Sequence, residues 1–228
     1  MNTHEGFAAR CVRAIEELQE VEGVDVDTRG IPAVVPELAD PDWVLRDVAE
    51  RTGIRLAESP FREYFFAPDQ LRARWNTTAD PDVIGEFCLT HIHRCLVEGP
   101  AGLQDPTLTE AENEILAELR IIDQEPMAGS GRVTGLRVAA EREDHEIWLY
   151  DMSQERLERL GIDYGTYLEN ILVTKGAYGW QYLFADADLN DPGLDDIATN
   201  LTMMLGIFPD MFPNHSYEDL RERLEARL

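Results

Sequence analysis

Lysine is almost missing from this chain: Lys175 stands alone beside nineteen arginines. The shortage of positive charge is general, because 20 basic residues face 45 aspartates and glutamates and leave a formal charge of −25. Such a surface repels phosphate backbones and anionic lipid and attracts cationic surfaces, so no direct binding to nucleic acid or membrane is expected. Solubility, or adaptation to high salt, accounts for the same acidity without any partner. Cysteine is scarce and odd in number: Cys11, Cys88 and Cys95 supply no disulfide framework and suit a reducing cytoplasm. No apolar run approaches the roughly 20 residues that span a bilayer. The opening residues, MNTHEGFAAR, lack the basic start and apolar centre of a signal peptide, so a cytoplasmic location is expected.

Motifs for nucleotide and hydrolytic chemistry are missing as well. Gly129-Ser-Gly131 is too short to cradle a phosphate, and no glycine-rich run leads into Lys-Ser or Lys-Thr. Neither a G-x-S-x-G elbow nor H-E-x-x-H occurs. Glu63, Asp69 and Glu86 are carboxylates of the right type for acid–base work, yet nothing in the sequence poises their pKa values. The expectation is therefore a protein without catalytic residues and without a cofactor.

What is present suffices for a core. Apolar residues make up 44% of the 228, with four Trp, seven Tyr and eight Phe, which rules out a disordered acidic tail. Phe7, Cys11, Ile15, Leu18 and Val21 recur at helical spacing over residues 7–22, and Gly23 with the polar run through Gly30 and Pro32 ends that helix. Asp40-Pro41 reads as a capped helix start running through Val44, Leu45 and Val48 to Gly53. A short third helix is expected from Ser59-Pro60, burying some of Phe61, Tyr64, Phe65 and Phe66. Leu71, Ala73 and Trp75 then alternate, as do Phe87 and Leu89, with His91 and His93 continuing the pattern, which predicts short strands.

Residues 97–126 read as an acidic insertion with eight acids against one Arg, in which Thr109 and Glu112 have capping-box spacing for a helix carrying Ile115, Leu116 and Leu119. Val133 to Ala140 and His145 to Tyr150 predict two strands joined by a charged turn at 141–144. Asp163 caps a helix with Tyr164, Tyr167, Leu168, Ile171 and Leu172 along one side, stopped by Gly176. Lys175 would complement that helix end. Helices over 194–205 and from Ser216 to the end follow, the latter capped by Ser216. Helices, then strands, then helices give an α+β fold: a mixed or antiparallel central sheet flanked by N-terminal and C-terminal helices, in a single domain over 1–228.

Two clusters invite a metal. In Cys88-Leu-Thr-His91-Ile-His93-Arg-Cys95 an extended strand would put His91, His93 and Cys95 on one face and Cys88 on the other. The spacing lacks the paired loops of a structural zinc knuckle, so buried cysteines and hydrogen-bonded histidines are the plainer reading. Asp186, Asp188 and Asn190 fit the opening of a calcium loop, but Asp191 replaces the required glycine and Ile197 the bidentate glutamate. An acidic, solvated turn is expected there. Among the aromatics, Trp75, Trp148, Tyr150, Trp180, Tyr182 and Phe184 suit either the core or a recognition pocket. The interface candidates are Trp75, Trp180 and Tyr182 as anchors, with Asp186, Asp188 and Asp191 steering a basic partner.

Seven segments together resemble the SUKH superfamily, the group of fungal cell-wall assembly regulators and bacterial toxin-immunity proteins. They are Thr52-Gly-Ile-Arg-Leu56, Ser59-Pro-Phe-Arg-Glu-Tyr64, Leu71-Arg-Ala-Arg-Trp75, Gly85-Glu-Phe-Cys-Leu89, Glu146-Ile-Trp-Leu-Tyr150, Asp163-Tyr-Gly-Thr-Tyr-Leu168 and Gly176-Ala-Tyr-Gly-Trp-Gln-Tyr-Leu-Phe184. The resemblance covers residues 40–185 and implies a SUKH-like core there. It carries no catalytic residue. It implies a protein that works by binding another protein: an immunity protein neutralising a cognate toxin, with a basic toxin domain as partner. The alternatives are a cytoplasmic regulator or scaffold without a toxin and, further off, a metal-dependent hydrolase using the 88–95 region.

Overall fold

The computed structural model describes residues 6–28, 35–56, 58–138 and 145–228. Gly30, Pro32, the end of the expected strand at Ala139 and Ala140, and the expected turn at 141–144 lie outside them.

Helix α1 (Phe7–Glu20) buries Phe7, Cys11, Ala14, Ile15 and Leu18, the stripe that its periodicity dictates. Helix α2 (Pro41–Thr52) starts where the Asp40 carboxylate accepts the Asp42 and Trp43 amides at 2.9 and 3.3 Å. It ends at Gly53, whose φ of +73° is left-handed and whose N–H closes on Ala49 O. Helix α3 spans Glu58–Glu63 and delivers buried Phe61, with Phe66 buried just beyond. Helix α5 (Glu110–Glu118) carries the full capping box between Thr109 and Glu112, and α6 (Tyr164–Thr174) is capped by Asp163 through the Thr166 amide at 2.7 Å.

Helix α7 (Asp195–Met211) runs beyond its expected end and contains Pro209. Proline removes the amide that would bond Leu205 O, and Arg221 Nη2 donates to that carbonyl instead at 3.0 Å. The last helix, α8 (Glu218–Glu225), corrects the expected cap. Its first turn follows Tyr217, without a side-chain cap from Ser216, and Glu218 and Asp219 supply negative charge to the helix start.

The expected α+β class with N-terminal and C-terminal helices holds, but among the described residues seven strands form two antiparallel sheets where the sequence predicted one. The first has the order β1 (Val24–Asp27), β2 (Gln70–Thr77), β3 (Ile84–Thr90). The second runs β4 (Arg120–Gln124), β5 (Arg132–Arg137), β6 (Glu146–Asp151), β7 (Arg156–Leu160). Residues 97–126 hold α5 and β4, and β4 pairs with β5. The sheets meet where β4 lies beside β3, and carboxylates take the place of a ladder there. Asp123 Oδ1 accepts the Cys88 amide at 2.8 Å, and the two oxygens of Glu86 accept the Met127 and Ala128 amides at 2.6 Å each. The rest of the β3 edge is met by a returning segment: the Glu86 amide donates to Gly176 O, and the Tyr178 amide to Ile84 O, both at 2.9 Å.

A further correction concerns the histidines. The strand ends at Thr90, and residues 92–97 turn into helix α4 (Ile92–Val97), because His91 Nδ1 accepts the His93 amide at 3.1 Å and so caps a helix. The main core joins Leu71, Ala73, Trp75, Phe87 and Leu89 of the first sheet to Phe7 and Leu18 of α1, Tyr167 and Leu168 of α6, and Phe208 of α7. Among the described residues no helix is long and apolar enough to cross a membrane.

Candidate protein interface

The aromatic anchors expected at a surface are core residues. Trp75, Trp180 and Tyr182 are 1%, 1% and 0% exposed. Trp75 lies on the inner face of β2, packs on Phe208 and donates its indole N–H to Lys175 O at 2.7 Å. Its ring fills the place of a side chain at Gly85, where a Cβ would stand 2.5 Å from it. Trp180 stacks obliquely on Tyr167 at 4.8 Å, and the Tyr182 hydroxyl donates to Asp151 Oδ2 at 3.1 Å. Each indole or phenol ring has more apolar surface to hide than its polar atom has to expose.

The three aspartates do sit together at the surface. Asp186 and Asp188 are exposed and Asp191 is half-buried. Two of them shape the turn: Asp188 Oδ1 accepts the Asn190 amide at 3.0 Å, and Asp191 Oδ1 accepts the Gly193 amide at 3.0 Å while Oδ2 pairs with Arg156. Ile197, at the twelfth position of the calcium-loop reading, is buried in α7. The Leu189 amide bonds Arg227 O at 2.9 Å, so the turn is fastened to the chain just past α8. Asp186 borders an open groove of about 880 Å³, whose wall combines Phe61, Tyr164 and Phe184 with Asp163, Arg159 and Arg227. Asp195 and Asp196, both exposed, continue the acidic run into the first turn of α7.

Cys88, His91, His93 and Cys95 are dispersed between strand and helix. Both cysteines are buried, and burial pushes the Cys88 thiol up to about 11 and the Cys95 thiol up to about 12. Burial pushes His91 down to about 4, and His93 Nε2 lies 2.7 Å from Asp47 Oδ2. Among the described residues no three His, Cys, Asp or Glu side chains converge on a metal-sized site.

Two buried polar centres escaped the sequence reading. Arg132 lies with Glu125 and Asp151 inside the second sheet, and Asp123 sits at the seam. Burial pushes the Asp123 carboxyl up to about 7, against the downward pull of the Tyr167 hydroxyl at 2.7 Å and the Cys88 amide. Its unfolded value is about 3.9. The folded protein therefore holds a proton between those values that the unfolded chain has released, and this group's contribution to stability falls as pH rises from about 4 to about 7. Asp123→Asn keeps Oδ1 as the acceptor of the Cys88 and Gln124 amides, carries no charge, and puts an amide NH2 where Oδ2 accepts the Tyr167 hydroxyl, which would have to turn and accept instead. The expected result is a variant more stable than the parent at pH 8 by on the order of 1–2 kcal/mol, with the advantage vanishing below pH 4. Urea midpoints at several pH values measure this, and a variant less stable at pH 8 would refute it.

No protein-family model, no curated protein and no solved structure matches the chain.

Proposed function

We propose that this chain is a non-enzymatic, SUKH-like protein that binds another protein, and that it acts as an immunity protein blocking a cognate toxin domain of basic surface. The observation that carries this reading is the charge of −25, part of it displayed on a turn fastened to the fold at 186–196. Charge of this kind raises the rate of encounter with a cationic partner, and the buried scaffold behind it fixes the geometry of contact. The resemblance over residues 40–185 supplies the partner class.

Co-expression tests the proposal directly. A toxin encoded beside this chain should be captured by it from native lysate, and growth should be rescued when both are produced. Neutralising Asp186, Asp195 and Asp196 to Asn should slow association several-fold at low salt and flatten its salt dependence, because steering acts on the on-rate. Failure both to bind and to rescue eliminates immunity towards that toxin. Binding without any toxin partner in the genome would turn the reading to a cytoplasmic regulator or scaffold.

A further inference from the structure

Another open groove, of about 460 Å³, lies between residues 35–38, the first turn of α2 and helix α4. Its apolar wall is Val35, Leu38, Trp43 and Val97, and its carboxylates are Glu37, Asp69 and Glu98. Trp43 is half-buried, and its ring is held by stacking on His93 at 5.1 Å, with His93 fixed in turn by Asp47. Among the described lining residues the one arginine is Arg94, and its guanidinium is already engaged on both sides, by Asp69 at 2.7 Å and Glu98 at 2.8 Å. Three carboxylates against one arginine leave the rim anionic, and Glu37 and Glu98 stand exposed. Trp43 is thus an aromatic fixed in orientation at a water-accessible, negatively charged groove, whereas Trp75 and Trp180 are sealed in the core.

We infer that this groove is the anchoring site for the protein partner, and that it takes an arginine together with a neighbouring apolar side chain from that partner. The inference rests on the binding function proposed above and names its contact. An arginine presents an aliphatic stem to Val35, Leu38 and Val97, a planar cation to the Trp43 ring, and N–H donors to Glu37 and Glu98. The volume suits one or two side chains, the scale of an anchor pocket and not of a whole interface. A second copy of this chain is a poor occupant, since it brings another −25 to an anionic rim. The acidic turn at 186–196 then governs encounter, and the Trp43 groove governs residence.

Kinetics separate the two. The probe is a 12-residue peptide with a central Leu-Arg-Leu-Arg, immobilised for the dissociation rates and free in solution for the resonance shifts, compared with the same peptide bearing Ser for Leu or Glu for Arg. On wild type the parent peptide should shift the Trp43 indole N–H resonance, assigned by its loss in Trp43→Ala. Dissociation should be tenfold faster or more for Trp43→Ala, and at least fivefold faster for Glu37→Arg at its exposed position. The Asp186, Asp195 and Asp196 to Asn variant should dissociate within twofold of wild type, and both altered peptides should bind more weakly. No shift at Trp43, an unchanged dissociation rate in both groove variants, or equal binding of the Ser-for-Leu peptide overturns the groove. None of those results touches the co-expression assay, so a failed anchor and a failed binding function are told apart.

Discussion

Arg132→Met should cost about 3–5 kcal/mol, a large share of the stability of a domain this size. Arg132 is 1% exposed and lies between two buried carboxylates. Its Nε and Nη2 donate to Asp151 Oδ2 at 2.9 and 2.7 Å, and its Nη1 donates to Glu125 Oε1 at 3.2 Å. The Tyr178 ring covers the guanidinium at 4.1 Å. Burial alone would lower the pKa of that guanidinium, and the two carboxylates outweigh it and push it up. Burial lifts Glu125 even with Arg132 opposite, so removing the arginine leaves two carboxylates in a site that disfavours their charge. Glu125, already raised by burial, would then take up its proton in the folded state at a higher pH than in the unfolded chain. The deficit should be larger at pH 8 than at pH 5, because stability is lost as pH rises from the unfolded value through the raised folded one. Adding Glu125→Gln and Asp151→Asn should restore a good part of the loss, since no charge remains to be matched. Urea denaturation of the single and triple variants measures both effects. A single-variant loss below about 1 kcal/mol, or a triple variant no better than the single, would show that the cluster does not act as a unit.

What could be read before the structure was whatever lies within one element. Asp40 before Pro41, Thr109 before Glu112 and Asp163 before Tyr164 each cap the helix they precede, because cap chemistry involves partners two or three residues away. Alternation placed β2, whereas the 180–184 aromatics stand out as a cluster in which Trp180 and Tyr182 read as surface anchors and are core residues. Strand β1 was overlooked: Val24-Asp-Val-Asp27 does alternate, but four residues are too few for the pattern to stand out from a polar run. His91 and His93 continued a strand pattern in sequence, yet His91 is also a cap acceptor, and the local hydrogen bond prevailed over periodicity. The seam was beyond reach for another reason. Cys88 and Asp123 are 35 residues apart, Trp75 and Lys175 are 100, and Lys175 and Glu17 are 158, so no local pattern links them.

The interface residues divide along the same line. Composition picks out tryptophans as anchors but cannot tell which are covered, and the two chosen are sealed under α7 and against α6. Trp43 carried a usable signal: it lies off the Val44, Leu45 and Val48 stripe of its own helix, in a turn beginning with Asp40 and Asp42. Lys175 was expected to serve a helix end. It does close α6, in a left-handed conformation, and it also spans to α1 through its ion pair with Glu17, with its ammonium 5.1 Å from the Phe212 ring centroid.

Gly176→Ala should destabilise by roughly 3 kcal/mol, and Gly53→Ala by only about 1. Both glycines follow helices and both have positive φ, +67° and +73°. A side chain at either position therefore meets the same left-handed strain. Space distinguishes them. A Cβ at Gly53 has nothing within 4 Å, whereas one at Gly176 would stand 2.8 Å from Glu86 O and 3.0 Å from Glu86 C. Those are backbone atoms of a buried strand, and the Glu86 amide is itself bonded to Gly176 O, so neither side can withdraw without breaking that bond. The displaced segment also carries Tyr178, which caps Ile84 O and covers Arg132, so part of the cost falls on the ionic cluster. Combining Gly176→Ala with Arg132→Met should accordingly cost less than the sum of the two, while Gly53→Ala with Arg132→Met should be additive. Denaturation midpoints of the three single and two double variants decide this. Equal losses at Gly53 and Gly176 would show that strain alone matters and that the 176–178 segment does not hold the two sheets together.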